Sequence, residues 1–212
     1  GGITENEQKG LNEVTHFYGG KIKWSVGDAR TGGKQYFRIE GSKSNSLDSN
    51  KQITELSAAN IAVLFYKELR EERGLYSEIK SVITYSDKTK IVKSYPVDNL
   101  EIVLSKMMVA MRIATILKEK KYDDLRSVLN DKNGIADYNK ESLVGKIKNA
   151  EESLGQVKEF IPYGFVFVKA KNNRTVLHIS GMLVREGRNN EFSVDFDATS
   201  TKDEAMFLNY KL

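Results

Sequence analysis

The stretch Phe160–Ala198, FIPYGFVFVKAKNNRTVLHISGMLVREGRNNEFSVDFDA, decides the class of fold. Apolar and polar residues alternate along Phe160–Ala170, Thr175–Arg185 and Glu191–Ala198, and Asn172-Asn173 and Gly187–Asn190 stand where the chain must reverse. Successive side chains of a strand point to opposite faces, so alternation broken by Asn and Gly turns predicts an antiparallel meander. A fourth strand is predicted over Ala205–Leu212, with Met206, Leu208 and Tyr210 sharing one face. In the third, Phe192, Val194 and Phe196 face one way and Ser193, Asp195 and Asp197 the other, so one face is a core and one meets solvent.

Three helices precede these strands. The first starts after Pro96 with Asp98 and Glu101 in capping-box spacing and carries Leu100, Val103, Leu104, Met107, Met108, Met111 and Leu117. Helical spacing makes Met107, Met108 and Met111 core residues, the alternative being an adaptable partner-binding stripe. A short helix is predicted over Tyr122–Leu129, and a third over Lys140–Leu154, capped by Asn139, with Leu143, Ile147, Ala150 and Leu154 on one face. Helices first and an antiparallel sheet last make an α+β plan.

The first half reads αββαββ. A helix over Thr4–His16 buries Leu11 and Val14 and ends at Gly19-Gly20; a hairpin follows, with Ile22, Trp24 and Val26 in one strand, a turn at Thr31–Lys34, and Tyr36–Ile39 in the next. Gly41–Asn50 reads as a loop and Ile53–Arg73 as a helix ended by Gly74. Leu75, Ile79, Ile83 and Tyr85 then share one strand parity, and a turn at Ser86–Lys88 returns the chain through Ile91 and Val92 to Tyr95. A chain of 212 residues suits two domains of about 100 residues each. The predicted domains are 1–97 and 98–212, each with helices packed on an antiparallel sheet.

With 33 basic residues against 29 acidic ones, interspersed along the chain, nothing gathers the clustered cations that a phosphate track requires, and no nucleic-acid partner is expected. The longest apolar candidate, Leu100–Leu117, is interrupted by Glu101, Lys106 and Arg112, so no membrane span is predicted. The absence of cysteine removes disulfides, thiolate nucleophiles and Cys-ligated zinc. Gly1-Gly2-Ile3 shows neither an initiator Met nor a signal-peptide pattern, from which a leader lost upstream is expected. The triplets Gly19–Lys21 and Gly32–Lys34 lead into strands and lack the Ser or Thr of a phosphate loop, so they read as hairpin turns.

From Ser105 to Leu212 the chain resembles a nuclear transport factor two-like domain of the cystatin-like superfamily. The resemblance is carried by the Met107-Met108-Val109-Ala110 helix, the Tyr122-Asp123-Asp124-Leu125 short helix after a charged break, the Gly134 turn and the closing Ala205–Tyr210 strand. It implies a strongly curved four-stranded meander with helices in its concavity, and a strand at Ile135–Tyr138. The superfamily hosts isomerases, dehydratases, adaptors and non-enzymatic envelope proteins, so the resemblance implies no single activity. The composition also resembles small secreted or lipid-anchored proteins of gut Bacteroidetes, which implies an extracytoplasmic place, periplasm or cell surface, with a lipid anchor as the only membrane tie.

His16 and His178 are the only histidines. His178 shares its parity with Val176, Ser180 and Met182; if that face lines a cavity it is a proton carrier or polar anchor, and otherwise a hydrogen-bonded structural histidine. Asp195 and Asp197 share a face with Glu191, either as an acid/base or cation-binding set or as a solvated acidic stripe. Tyr163, Phe165, Phe167, Phe192 and Phe196, with His178 and Met182, either line a ligand pocket or fill the core. No metal set and no cofactor is expected. The leading expectation is a non-catalytic cell-envelope protein that binds another protein or a small apolar ligand. One alternative is an isomerase- or dehydratase-like enzyme with His178 and Asp195 or Asp197 as acid and base. The other is an adaptor or inhibitor acting through a sheet edge or hairpin tip such as Thr31–Lys34, marked by a long unprotected edge strand.

Overall fold

The computed structural model describes residues 2–29 and 33–212. The described chain is α+β, with two four-stranded sheets, and packs as two compact units, residues 1–104 and 105–212.

In the first unit, helix α1 (Glu5–Tyr18) opens with a reciprocal capping box: the Thr4 side chain accepts from Glu7 N and the Glu7 carboxylate from Thr4 N. Its buried stripe includes the predicted Leu11 and Val14. Strands β1 (Lys21–Asp28) and β2 (Gln35–Ser42) pair antiparallel in unbroken register, Lys21 opposite Ser42 through Asp28 opposite Gln35. Of the tip predicted at Thr31–Lys34, residues 31 and 32 lie outside the described ones.

The predicted loop Gly41–Asn50 holds a short helix, α2 (Asn45–Ser49), because Ser44 Oγ caps Leu47 N and Leu47 is buried. The predicted helix Ile53–Arg73 is broken: α3 (Thr54–Leu69) is flanked by 3-10 turns at Lys51–Ile53 and Arg70–Leu75, and Arg70 adopts φ 52°, which no α-helix continues. Leu75, assigned to the strand, lies in that turn and is exposed.

Strands β3 (Tyr76–Thr84) and β4 (Lys90–Pro96) complete a sheet of order β1-β2-β3-β4. It is not wholly antiparallel as expected, since β2 and β3 are parallel, from Gln35 opposite Tyr76 to Ser42 opposite Thr84. The reason is the connection: a strand that hands over to a helix and returns to its immediate neighbour arrives pointing the same way. Phe37, Ile39, Ile79 and Ile83 form the core on the helix side, and Phe37 stacks on Phe65 of α3 with ring centroids 4.3 Å apart.

Helix α4 (Val97–Glu119) runs through the division at 104/105. Its buried face is Val103, Lys106, Ala110, Ile113 and Leu117, a run of three- and four-residue steps. Of the methionine stripe, Met107 is half-buried, whereas Met108, 75% exposed, and Met111, 41% exposed, sit on the opposite side of that spacing and are not core. The predicted Tyr122–Leu129 helix is a 3-10 turn over Tyr122–Ser127. Helix α5 (Lys140–Ser153) begins at its predicted cap, Asn139, whose Oδ1 accepts from Ser142 N, but buries Val144, Ile147 and Glu151 rather than Leu143, Ala150 and Leu154. Ile135–Tyr138 forms no strand, because Asn133 Oδ1 accepts from both Ile135 N and Ala136 N and turns the chain.

Strands β5 (Val157–Lys169), β6 (Thr175–Arg185), β7 (Asn190–Asp197) and β8 (Phe207–Lys211) form the predicted antiparallel meander in sequence order. Register shifts at Val157/Glu159 and Pro162/Gly164 are bulges, which bend β5. Phe165, Ile179, Val194 and Leu208 cross the four strands in register and are all buried.

Candidate functional site

Strand β1 is an edge strand, and its residues divide by parity. Toward the helices point Ile22, Trp24 and Val26, in register with Gly41, Ile39 and Phe37 of β2. Trp24, the sole tryptophan, stacks on Phe37 at 5.7 Å yet stays 41% exposed, and Val26 is 37% exposed. Away from the helices point Lys21, Lys23, Ser25 and Gly27, and the rows continue as Ser42-Thr84-Lys90, Glu40-Val82-Val92, Arg38-Lys80-Ser94 and Tyr36-Glu78-Pro96. This outer face carries Lys21, Lys23, Arg38, Lys80 and Lys90 against Glu40 and Glu78, and is therefore basic.

Both glutamates are already matched. Glu40 is 3.0 Å from Lys90 and 3.6 Å from Arg38, and Glu78 is 3.7 Å from Lys80. The Glu40 carboxyl lies below its ordinary pKa: burial alone would raise it, but the Lys90 hydrogen bond and the charges of Lys90, Arg38 and Lys23 pull it down. Lys21 and Lys23 make no ion pair among the described residues. Tyr36 lies across Gly27, where a Cβ would come within 2.3 Å of the phenol oxygen, and Lys80 Nζ sits 4.0 Å above the same ring.

The other three edge strands carry features that discourage pairing. Strand β4 places Lys93 on the helix-side parity, between Ile91 and Tyr95, and ends in Pro96. Strand β5 contains Pro162 and two bulges. Strand β8 is five residues long, and the chain just before it is met by Asn130 N on Ala205 O at 2.9 Å and Asn133 Nδ2 on Met206 O at 3.1 Å. Among the described edge strands, only β1 joins eight residues in unbroken register to an apolar inner parity.

The site residues predicted in the second unit fall on two opposite faces. Phe165, Phe192 and Phe196 lie on the core parity and are buried, with Phe167 beside them at 5.9 Å from Phe165. This face is filled by side chains rather than open. His178 and Met182 lie on the outer parity, with Asp195, Asp197 and Glu191. Tyr163, at the second bulge, also turns outward, and its hydroxyl donates to Glu191 Oε1 at 2.9 Å. The seven predicted ligand-binding residues therefore do not form one pocket, because β-strand parity separates them.

His178 and Asp195 are cross-strand partners, and His178 Nδ1 bonds Asp195 Oδ1, with both side chains about one third exposed. Asp197 is drawn away from this pair: Arg174 Nη2 holds it at 2.9 Å and Thr199 donates to its other oxygen at 2.8 Å. Burial would raise the Asp197 carboxyl, but the Thr199 and Arg174 hydrogen bonds carry it below its ordinary value. Asp197 and Arg174 line a cleft of about 190 Å³ with Asn133, Lys202 and Glu204. Met182 lines a groove of about 330 Å³ with Leu154, Glu191, Lys211 and Leu212. Among the described residues no three His, Cys, Asp or Glu side chains converge on a point that would hold a metal ion, and no helix is long and apolar enough to cross a membrane.

Sequence reasoning missed a polar cluster on the core side of the second unit. Arg185, fully buried on β6, donates from Nη1 to Glu151 Oε2 of α5 at 2.7 Å and to Gly155 O at 2.9 Å. Among the described residues, Glu151 Oε1 and Arg185 Nη2 have no hydrogen-bond partner. The Tyr210 phenol nearby is pushed up by burial and then by the Glu151 charge, with Arg185 opposing. The only sequence signal for this pair was a Glu and an Arg at positions whose parity faces the core.

Comparison with known proteins finds no matching family model, no matching curated protein and no matching solved structure.

Proposed function

We propose that the chain is a non-catalytic binding protein of the cell envelope that holds a partner protein along the free edge of β1. The observation that carries this reading is the edge itself: eight residues in unbroken register, with Trp24 and Val26 exposed on the helix side. An unpaired strand of this kind offers a row of backbone donors and acceptors to a second chain, and side-chain rows on both faces to choose among partners. The filled core face of β5–β8 weighs against the small apolar ligand and moves the reading toward a protein partner. The envelope placement rests on the resemblance in composition, and fractionation of the source cells tests it.

We read the two units as two domains, and the second as a variant of the nuclear transport factor two-like plan. The run of α4, a short 3-10 turn, α5 and a four-stranded meander supports this, and the missing strand at Ile135–Tyr138 marks a departure. The test of function is selection of random displayed peptides on the immobilised chain, with bound peptides located by amide hydrogen exchange. Protection of β1 amides is the expected result, and protection confined to other elements overturns the reading.

A second reading rests on the hydrogen-bonded His178–Asp195 pair, which supports acid/base chemistry on the open outer face of β6 and β7. His178→Ala abolishing turnover of an isomerase- or dehydratase-type substrate would favour it over the binding reading.

A further inference from the structure

We infer that the partner segment is an extended strand in which apolar and acidic residues alternate, added to the sheet beyond β1. This rests on the edge-binding reading above and names the chemistry of its partner. A strand laid beside β1 continues the existing rows on both faces. On the helix side its residues meet Ile22, Trp24 and Val26, whose uncovered area is apolar. On the outer side they meet Lys21 and Lys23, the two cations of that face with no ion pair among the described residues, while Glu40 and Glu78 are already held by Arg38, Lys90 and Lys80. Carboxylates opposite Lys21 and Lys23 complete the charge pattern that β2, β3 and β4 begin. Beyond them, Ser25 brings no charge and Tyr36 lies over Gly27, so neither position asks for a charge on the partner.

The same charges act against the alternatives. A second copy of this chain would bring another Lys21 and Lys23 to the same face, and a basic strand would meet them head on; like charges placed on neighbouring strands disfavour pairing. The edge thus favours an acidic strand over a basic one.

The test titrates the full chain with three capped octapeptides of alternating sequence, Val-Glu, Val-Gln and Val-Lys, and follows the emission of Trp24, the sole tryptophan, excited at the red edge where tyrosine does not absorb. Val-Glu binding with a blue-shifted Trp24 and exchange protection of β1 amides is expected. The double variant Lys21→Glu/Lys23→Glu then weakens Val-Glu by at least about tenfold and gains affinity for Val-Lys, and higher ionic strength weakens the wild-type complex. The salt series needs no variant, so it tests the charge pattern even if the double variant folds poorly. Val-Gln and Val-Lys binding β1 as well as Val-Glu would overturn the acidic partner while leaving the edge reading intact. No β1 protection by any of the three peptides at millimolar concentration would overturn both. Concentration-dependent self-association with protection of β1 would give the edge to a second copy instead and overturn the acidic partner.

Discussion

Strands β1 and β5 each stand at the edge of a four-stranded sheet, yet β1 keeps unbroken register over eight residues while β5 slips twice along thirteen and carries Pro162. The difference extends inward. The sheet β1–β4 buries an apolar layer of Phe37, Ile39, Ile79 and Ile83 and leaves its edge and basic face to solvent. The sheet β5–β8 closes its edges and buries an ion pair, Arg185 with Glu151, beneath them. Edge protection is a property of each strand, not of the chain: the same sequence blocks three edges with Pro, bulges, an inward Lys or a short strand and leaves a fourth open. That contrast is why β1 reads as a place where something binds.

The sharpest way to break the comparison is Glu151→Ala. It leaves Arg185, which has no exposed side-chain surface, charged and without its carboxylate, and the expected loss is about 3–5 kcal/mol. Hydrogen exchange should show it as lost protection in β6 and β7 with β2 and β3 little changed. An equal loss in β2 and β3 would mean that the two sheets open together, and the contrast between them would lose its energetic content.

Alkaline pH provides an intermediate test, and it should not distinguish the two sheets. Burial pushes Tyr18 up to about 12 against the opposing hydrogen bonds of Asn60 and Ser57, and burial with the Glu191 hydrogen bond and charge pushes Tyr163 up to about 12. A raised folded-state pKa means that the unfolded chain loses its proton first. The stabilisation is therefore full below about pH 10 and is lost as pH rises toward 12, to the extent of about 2–3 kcal/mol for Tyr18 and less for the half-buried Tyr163. Urea midpoints that fall between about pH 10 and 12 in probes from both sheets are expected. A fall in one sheet alone would mark the other's tyrosines as solvated.

The smallest effect on stability, and the finest adjustment of the comparison, is Lys93→Ile. Lys93 is the inward-parity charge that blocks β4, and its exposed site predicts a stability change within about 0.5 kcal/mol. Sedimentation velocity should nonetheless show new self-association as a second edge opens. A variant that stays monomeric and binds none of the test peptides at β4 would show that Lys93 is not what closes it.

Much of the fold was legible because it is written in local pattern. The meander of β5–β8, the Asn139 cap and the outward parity of Asp195 and Asp197 follow from alternation and turn chemistry, which neighbours in sequence determine. The failures have a common cause in context. Seven helical positions read as one apolar stripe placed Met108 and Met111 in the core, although the buried face of α4 accepts Lys106 by letting its ammonium donate to Ser200 O at 2.5 Å. The parallel pairing of β2 and β3 follows from the crossover through α2 and α3 that joins them, and no residue pattern in either strand carries that. The seven residues named for a pocket or a core were grouped by type and lie on two opposite parities, while the β1 edge was foreseen only as a class of possibility attached to a hairpin tip.

The sequence by itself determined the order of the long helices, the two sets of four strands, the faces of β6 and β7 and the absence of thiol chemistry, because each of these depends on residue type or on spacing along the chain. Only the tertiary structure decided that β1 lies uncovered, that His178 bonds Asp195 rather than Asp197, and that Arg185 finds Glu151, because these depend on which distant segments lie beside one another. Burial and pairing are properties of neighbours in space, and strand register, set by the whole sheet, chooses those neighbours.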